Sequence, residues 1–234
     1  MRKTHLKLTN ILALSCTVLL IQGAQAGVSG NIGFANNYIW RGVTQTRDQA
    51  AVSGGLDYAA DIGFYAGTWM SNVNFGNGDN DKGYELDLYG GYAGQFAEFN
   101  YDLGAIYYAF PAQDDLNLLE AFISGGYGPV NAGIYYTVEK DGDSDKENDL
   151  YYTANLEFDL DVLSGIGLGL WVGHYDFDAG GDSDYTHYGL SLGKGTDYGD
   201  FTLGVDKNDA DENAWFKGVD DPRVTVSWAI EFDI

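Results

Sequence analysis

Apolar and polar residues alternate along most of this chain. In the stretch 28–44, every second position from Val28 to Gly42 is apolar, aromatic or small, apart from Asn36, and the positions between them are mostly small or polar. A period of two is the pattern of a β-strand whose two faces meet different surroundings. The pattern recurs through the rest of the chain, so we expect an all-β protein.

The alternation predicts about twelve strands. The clearest is 83–93, where Tyr84, Leu86 and Leu88 alternate with Glu85 and Asp87. Ten or fourteen strands are the alternatives, because both faces of 166–175 are apolar or glycine and the connection 207–222 is long. The predicted strands are 28–44, 51–59, 63–73, 83–93, 97–110, 117–127, 130–138, 150–160, 166–175, 185–194, 201–207 and 223–234.

The connections between these strands alternate in length. Short ones lie near 60–61, 94–96, 128–129, 161–165 and 195–200, and longer acidic ones at 74–82, 111–116, 139–149, 176–184 and 207–222, with a modest first one at 44–50. Short periplasmic turns and long loops on the opposite side are typical of outer-membrane barrels. We therefore expect a closed antiparallel transmembrane β-barrel. The alternative is a secreted β-sandwich, in which the apolar faces form a core.

The first 26 residues have the three parts of a secretory signal peptide. Basic residues near the start, including Arg2 and Lys3, precede an apolar run at 11–21, and Ala24 and Ala26 supply the small residues of a cleavage site. We expect 1–26 to be removed on export and 27–234 to form one barrel in the bacterial outer membrane. The single cysteine, Cys16, lies in this leader, so the mature chain would have no disulfide.

The charge balance is strongly acidic. The chain has 12 Lys and Arg against 35 Asp and Glu, for a formal net charge of −23. The leader holds three of the basic residues and none of the acidic ones, so the mature chain is more acidic still. Such a surface repels phosphate backbones and argues against nucleic-acid binding. The 18 Tyr, 12 Phe and 5 Trp argue against disorder.

If the apolar face points to lipid, the opposite face lines an aqueous interior. A field of carboxylates there would concentrate cations and favour their passage. The alternative is that these carboxylates are ordinary polar filling, hydrogen-bonded to Tyr and Arg in a narrow, plugged barrel. Asp206 and the basic residues Arg223 and Lys194 are also expected inside. The pore-lining residues predicted are Arg41, Asp57, Glu85, Asp87, Glu98, Asp102, Glu120, Glu157 and Asp159.

Arg41 would be a single guanidinium among lumenal carboxylates. Such an arginine usually forms an ion pair, and we expect a partner such as Glu85 or Glu120. A direct role in binding a solute is the alternative.

Aromatic residues collect near both ends of the predicted strands. Amphipathic rings favour the two membrane–water interfaces. We predict that girdles at these interfaces include Trp40, Trp69, Tyr84, Tyr92, Tyr107, Tyr136, Phe158 and Phe232.

The stretch from Asn37 to Gln45, with Tyr38, Arg41-Gly42 and Thr44, resembles the N-terminal signature of the TorF-like porin family of proteobacterial conserved hypothetical proteins. The segments 63–73 (GFYAGTWMSNV) and 84–94 (YELDLYGGYAG) are similar to later segments of that family. The resemblance extends over essentially the whole mature chain. It implies an outer-membrane β-barrel with porin function and supplies no catalytic or ligand residues.

Catalytic and metal-binding patterns are weak. Some outer-membrane barrels are hydrolases with a Ser–His pair, but the mature chain offers only His174 and His187, and no nucleophile-elbow pattern surrounds a serine. The acidic loop 139–149 has the aspartates of half an EF-hand, but Lys146 stands where the loop requires glycine. We expect no enzymatic activity, no cofactor and no dedicated metal site.

These patterns together predict passive diffusion of small solutes across the outer membrane, with a preference for cations. The alternatives are a non-conducting barrel acting as a receptor or structural protein, and an outer-membrane hydrolase. The expected partners are outer-membrane lipid, the barrel-assembly machinery during biogenesis, and small solutes. The sequence indicates no oligomeric state.

Overall fold

The computed structural model of the chain describes residues 26–76, 81–113, 115–142, 148–160, 165–178 and 181–234. The predicted leader, except for its last residue, lies outside them. No helix in these ranges is long and apolar enough to cross a membrane. The strands are β1 (Gly27–Ala35), β2 (Ile39–Trp40), β3 (Val43–Thr44), β4 (Ala51–Ala59), β5 (Phe64–Asn74), β6 (Lys82–Phe96), β7 (Phe99–Ala109), β8 (Leu118–Tyr127), β9 (Val130–Lys140), β10 (Leu150–Leu160), β11 (Ile166–Asp176), β12 (Tyr185–Thr196), β13 (Gly199–Asn208) and β14 (Arg223–Asp233).

Twelve of these strands form one closed barrel. β1 and β4 to β14 each pair with their neighbours along the chain, always antiparallel. β1 closes the barrel by pairing with β14, with Ile32 opposite Ile230 and Phe34 opposite Trp228. Closure leaves no sheet edge with unpaired backbone groups, which is what a sheet in lipid requires. The prediction of a closed antiparallel barrel of twelve strands is confirmed.

The two faces of the barrel wall have opposite chemistry. Leu88 is 51% exposed and Ile123 is 61% exposed, whereas Asp87 between the outward residues of β6 is 0% exposed. The apolar side chains therefore cover the outside and many of the polar ones face the inside. This arrangement excludes the β-sandwich alternative, in which the same apolar face would form the core.

The first predicted strand was too long. β1 ends at Ala35, and the chain leaves the barrel wall at Asn36. The Asn36 backbone amide still donates to the Val226 carbonyl at 3.1 Å, and its side chain supplies two further bonds to β14: Nδ2 donates to the Val224 carbonyl at 3.0 Å and Oδ1 accepts from the Val226 amide at 2.7 Å. An amide side chain that satisfies backbone groups in this way ends the strand without leaving the facing strand unpaired.

A tight hairpin follows inside the segment 36–50. β2 and β3 pair through Trp40 and Val43, and the two residues between them, Arg41 and Gly42, have φ of 48° and 82°. Positive φ at both central residues is the signature of a type I′ turn. A side chain at residue 42 would also collide with His187, because an added Cβ would lie 2.4 Å from the His187 Cβ.

The barrel has two unlike ends. At the turn end lie the start of β1, the end of β14 and the strand ends that the short connections 60–63, 97–98, 128–129, 161–165 and 197–198 join. At the loop end lie the strand ends that the longer connections 36–50, 75–81, 110–117, 141–149, 177–184 and 209–222 join. The predicted alternation of short and long connections is present. The first connection at the loop end was predicted as the modest segment 44–50, whereas in the structure it is the longer segment 36–50.

Two neighbouring residues near the middle of β10 test which face meets lipid. Leu156 lies on the outward face and Asn155 on the inward face. We expect Leu156→Arg to lower the free energy of unfolding by about 2–4 kcal/mol in lipid vesicles, because the guanidinium would enter hydrocarbon. Asn155→Arg is the matched control, with an expected effect of about 0.5 kcal/mol. Urea unfolding of the refolded proteins measures both, and equal losses would contradict an outer surface immersed in lipid.

Candidate functional site in the barrel interior

Residues 36–50 fold into the loop end of the barrel. From Asn37 to Thr46 every residue except the half-buried Trp40 is buried. The segment is tied to the wall at both sides: Asn208 Nδ2 donates to the Gly42 carbonyl at 2.7 Å, and Arg223 Nε donates to Asp48 Oδ1 at 2.8 Å. The interior at this end of the barrel is therefore packed with protein.

The centre of this packing is an ion pair between Arg41 and Glu120. Arg41 donates from Nη1 to Oε1 at 2.7 Å and from Nη2 to Oε2 at 2.5 Å. Tyr108 adds a hydroxyl donor to Oε2 at 3.2 Å. Both charged side chains are almost fully buried, at 5% and 1% exposed. Of the two partners that the sequence suggested for Arg41, the structure selects Glu120.

A row of aromatic side chains lines the inner wall beside this pair. We define the aromatic row as Phe122, Tyr135, Tyr151, Tyr175 and Tyr185. They come from the five consecutive strands β8 to β12, and each faces the next in the strand register. Successive ring centroids lie 5.4, 5.7, 5.8 and 6.0 Å apart. All five side chains are buried.

The Arg41 guanidinium lies against this row. Its Cζ is 4.0 Å from the Tyr151 ring centroid, 5.0 Å from that of Tyr175 and 5.1 Å from that of Tyr135. The Trp40 ring is 4.4 Å away on the hairpin itself. These are distances at which ring quadrupoles attract a cation. The site thus combines a bidentate carboxylate with several aromatic faces.

The aromatic row was not predicted, because aromatic residues were expected only at outward positions. The signal was present as adjacent tyrosines, Tyr135-Tyr136 and Tyr151-Tyr152. In each pair the first ring is buried inside, while Tyr136 and Tyr152 are 40% and 38% exposed outside.

Two of the predicted girdle residues are inside the barrel instead. Trp40 is in the hairpin, with its ring 5.7 Å from that of Tyr108 and 6.1 Å from that of Tyr175. Trp69 is on the inward face of β5 and packs edge-on against Tyr38 at 5.4 Å. The prediction was wrong for Trp40 because the strand ends before it. It was wrong for Trp69 because its alternation places it with Tyr65 and Ser71, which are buried.

The remaining girdle candidates lie on the outer face. Tyr92 packs there between Phe64 and Tyr101, with ring centroids 5.0 and 6.2 Å away. The others are exposed on the outside, as a membrane-facing position requires: Tyr84, Tyr107, Tyr136, Phe158 and Phe232.

Several predicted pore-lining carboxylates share the inner face. Glu85 is buried and accepts from the Tyr38 hydroxyl at 3.1 Å, and Asp87 follows it on β6, also buried. Asp102 is buried and accepts from the Tyr65 hydroxyl at 2.8 Å. In this half of the wall, each carboxylate lies beside a tyrosine or another carboxylate, so the interior is acidic and hydrogen-bonded at once.

Three other predicted carboxylates on the inner face are more open than these. Asp57 is half-buried and accepts from the Tyr89 hydroxyl at 2.5 Å and from Asn31 at 3.4 Å. Glu157 is half-buried on the inner face of β10. Asp159 continues the same face and is exposed where β10 approaches its turn.

Glu98 is not in the interior. It lies in the short turn between β6 and β7, is exposed, and accepts from the hydroxyl of Tyr127, an outward residue of β8. The predicted strand 97–110 began too early, since β7 starts at Phe99. The structure thus corrects the assignment of Glu98 to the lumen.

The two basic residues that were expected inside the barrel, Arg223 and Lys194, lie on opposite faces of the wall. Arg223 is buried inside, where it donates to the carbonyls of Val219, Asp221 and Gly218. Asp206, its register partner on β13, is buried beside it. Lys194 is instead exposed on the outward face of β12, two residues after Leu192, so its placement inside was wrong.

The two histidines do not converge. His187 is buried inside, with Nε2 2.8 Å from the Tyr151 hydroxyl, whereas His174 is exposed on the outward face and contacts Thr186. The wall of the barrel separates the two rings. No site in the described residues brings three or more metal-ligating side chains together.

Comparison with solved structures finds porins of similar architecture. The KdgM porin aligns with a TM-score of 0.55 at 9% sequence identity, covering 88% of this chain and 99% of that chain. The NanC porin gives 0.53 at 10% identity, covering 89% and 100%. A second KdgM structure, in complex with disordered oligogalacturonate, gives 0.53 at 8% identity, covering 88% and 98%. At these identities the likeness establishes a porin-like barrel fold.

The family assignment comes from a sequence model. No curated protein sequence matches the chain, and its resemblance to the TorF-like porins stays a prediction. A family described as "Bacterial protein of unknown function (Gcw_chp)" matches residues 22–233. Because this match spans nearly the whole chain, the protein belongs to the Gcw_chp family of bacterial proteins.

Proposed function

We propose that the protein is a narrow porin-like channel of the bacterial outer membrane that lets small solutes diffuse and prefers cations. The observation that carries this proposal is the closed barrel with an apolar outside and an acidic inside. Such a wall is stable in lipid, and it surrounds a polar path. The turn end would face the periplasm and the acidic loops the exterior, with the leader 1–26 removed on export.

The preference for cations rests on the interior charges. The carboxylates of Asp57, Asp102 and Glu157 line the inner wall without an ion-pair partner among the described residues. Arg41, by contrast, is neutralised by Glu120. A confined space with an excess of negative charge raises the local concentration of cations and lowers that of anions.

The segment 36–50 would act as the constriction. It buries the aromatic row and the carboxylates at the loop end, so solutes of more than a few atoms would pass only when it shifts. The same burial favours the second candidate function, a non-conducting barrel that acts as a receptor or structural protein. The third candidate, an outer-membrane hydrolase, would need a serine beside His174 or His187, whose rings instead contact the hydroxyls of Thr186 and Tyr151.

Ion selectivity tests the proposed function directly. In planar bilayers with a salt gradient of KCl, we expect a small conductance whose reversal potential has the sign of cation selectivity. The double variant Asp57→Asn/Glu157→Gln should move that potential toward zero, because it removes two charges from the half-buried part of the lumen. Glu98→Gln removes one charge from the exposed turn and is the control, with no shift expected. Anion selectivity of the wild type would reject the cation channel.

Replacing the constriction tests whether the barrel can conduct at all. Ala35 and Ala51 are register partners on neighbouring strands, so a four-residue glycine-rich turn can join them in place of 36–50. We expect the conductance of this variant to rise several-fold, because the loop end of the lumen is emptied. Replacement of the exposed loop residues 211–214 by four glycines is the control and should change conductance little. If neither the wild type nor the shortened barrel conducts, the receptor or structural alternative is favoured.

A further inference from the structure

The environment of Arg41 is a complete recognition site for a guanidinium group. Glu120 receives two parallel N–H bonds in the bidentate geometry that a planar guanidinium provides. Tyr151, Tyr175 and Tyr135 offer ring faces within 5.1 Å of the guanidinium carbon. Charge and shape are therefore both matched.

The barrel wall supplies these groups independently of the hairpin. Glu120 is on β8, Tyr135 on β9, Tyr151 on β10 and Tyr175 on β11. Their positions are set by the strand register, which does not involve residues 36–50. The site would therefore persist if the hairpin moved, and Arg41 is its tethered occupant rather than part of its frame.

The aromatic surface continues from this site toward the loop end. Tyr185 packs on Trp215 with ring centroids 5.3 Å apart, and Phe177 lies between Tyr175 and Trp215 at 4.1 and 5.7 Å. Phe177 and Trp215 are half-buried in the long connections, whereas the rings deeper inside are buried. The contiguous rings thus extend from the buried site to half-buried residues at the loop end, and aromatic rings attract cations.

We propose that Glu120 and the rings of Tyr135, Tyr151 and Tyr175 form a binding site for a solute that carries an alkylguanidinium group, which enters from the loop end and displaces Arg41. This inference rests on the proposed cation-preferring channel and names a class of solute for it. Displacement exchanges one guanidinium for another, so the solute would take over the hydrogen bonds to Glu120 and the ring faces that Arg41 gives up.

The tether makes Arg41 a strong competitor. A group held next to its site on a short hairpin has an effective concentration of the order of millimolar or higher. A free solute that binds the same groups would therefore bind wild-type protein only weakly. Removal of the Arg41 side chain should reveal the affinity of the wall itself.

The test measures binding of butylguanidinium by isothermal titration calorimetry to the full mature chain refolded in detergent. We expect Arg41→Ala to bind at least 10-fold tighter than the wild type. Arg41→Ala/Glu120→Gln should lose that gain, because the carboxylate is gone, and Arg41→Ala/Tyr151→Leu should lose part of it. Butylurea, a neutral molecule of the same shape, is the control ligand and should not bind.

A second variant keeps the test decisive if Arg41→Ala perturbs the hairpin. The barrel in which a four-residue turn replaces 36–50 lacks the competitor altogether and should bind butylguanidinium at least as tightly as Arg41→Ala. Affinity equal to that of the wild type in both variants, or equal binding of butylurea, would overturn the proposal.

The outcome is separable from that of the proposed function, because binding is measured without a membrane. Cation-selective conductance together with no gain in binding would leave the channel standing and reject the guanidinium site. Tight binding in a barrel that never conducts would leave the site standing and reject the channel.

Discussion

The buried ion pair between Arg41 and Glu120 is the interaction on which the interior depends. Removing both charges from water is costly, and the cost is offset only when geometry and additional contacts are good. Here the pair is bidentate, Tyr108 donates a further hydrogen bond, and ring faces surround the guanidinium. Glu120 without Arg41 would be a buried, unneutralised charge. The buried carboxylate on the wall therefore requires a cationic partner, and the inward-folded hairpin provides one in Arg41.

Closure of the sheet explains why a charged side chain such as Glu120 can be buried inside the barrel. With every strand of the barrel wall paired on both sides, the backbone of the wall is satisfied without water, and the outer face is free to be apolar. The inner face can then be polar, and the strand register decides which polar groups meet. The register between β8 and β12 places Phe122, Tyr135, Tyr151, Tyr175 and Tyr185 side by side. A shift of one residue in any of these pairings would send a ring of the row outside.

The barrel strands were predictable in number and nearly so in extent. The predicted bounds 51–59 and 150–160 coincide with β4 and β10, because a period of two bounded by turn residues is a local signal. The predicted strand bounds were wrong where the chain leaves the barrel wall. The alternation continues past Asn36, yet the strand ends there, since Asn36 bonds to β14 and the Arg41-Gly42 turn reverses the chain. Trp40 and Trp69 were misplaced because an aromatic residue alone does not say which face it occupies.

The sequence by itself determined the kind of molecule: strands of period two, alternating short and long connections, and an excess of acidic residues. These are local patterns, which can be recognised within a single strand or connection without knowing its partners in the fold. Only the tertiary structure decided which carboxylate Arg41 meets, that residues 36–50 enter the lumen, and that rings from five strands form one surface. Those features depend on register and closure, which bring together residues as distant as Arg41 and Glu120, and no local pattern encodes such a meeting.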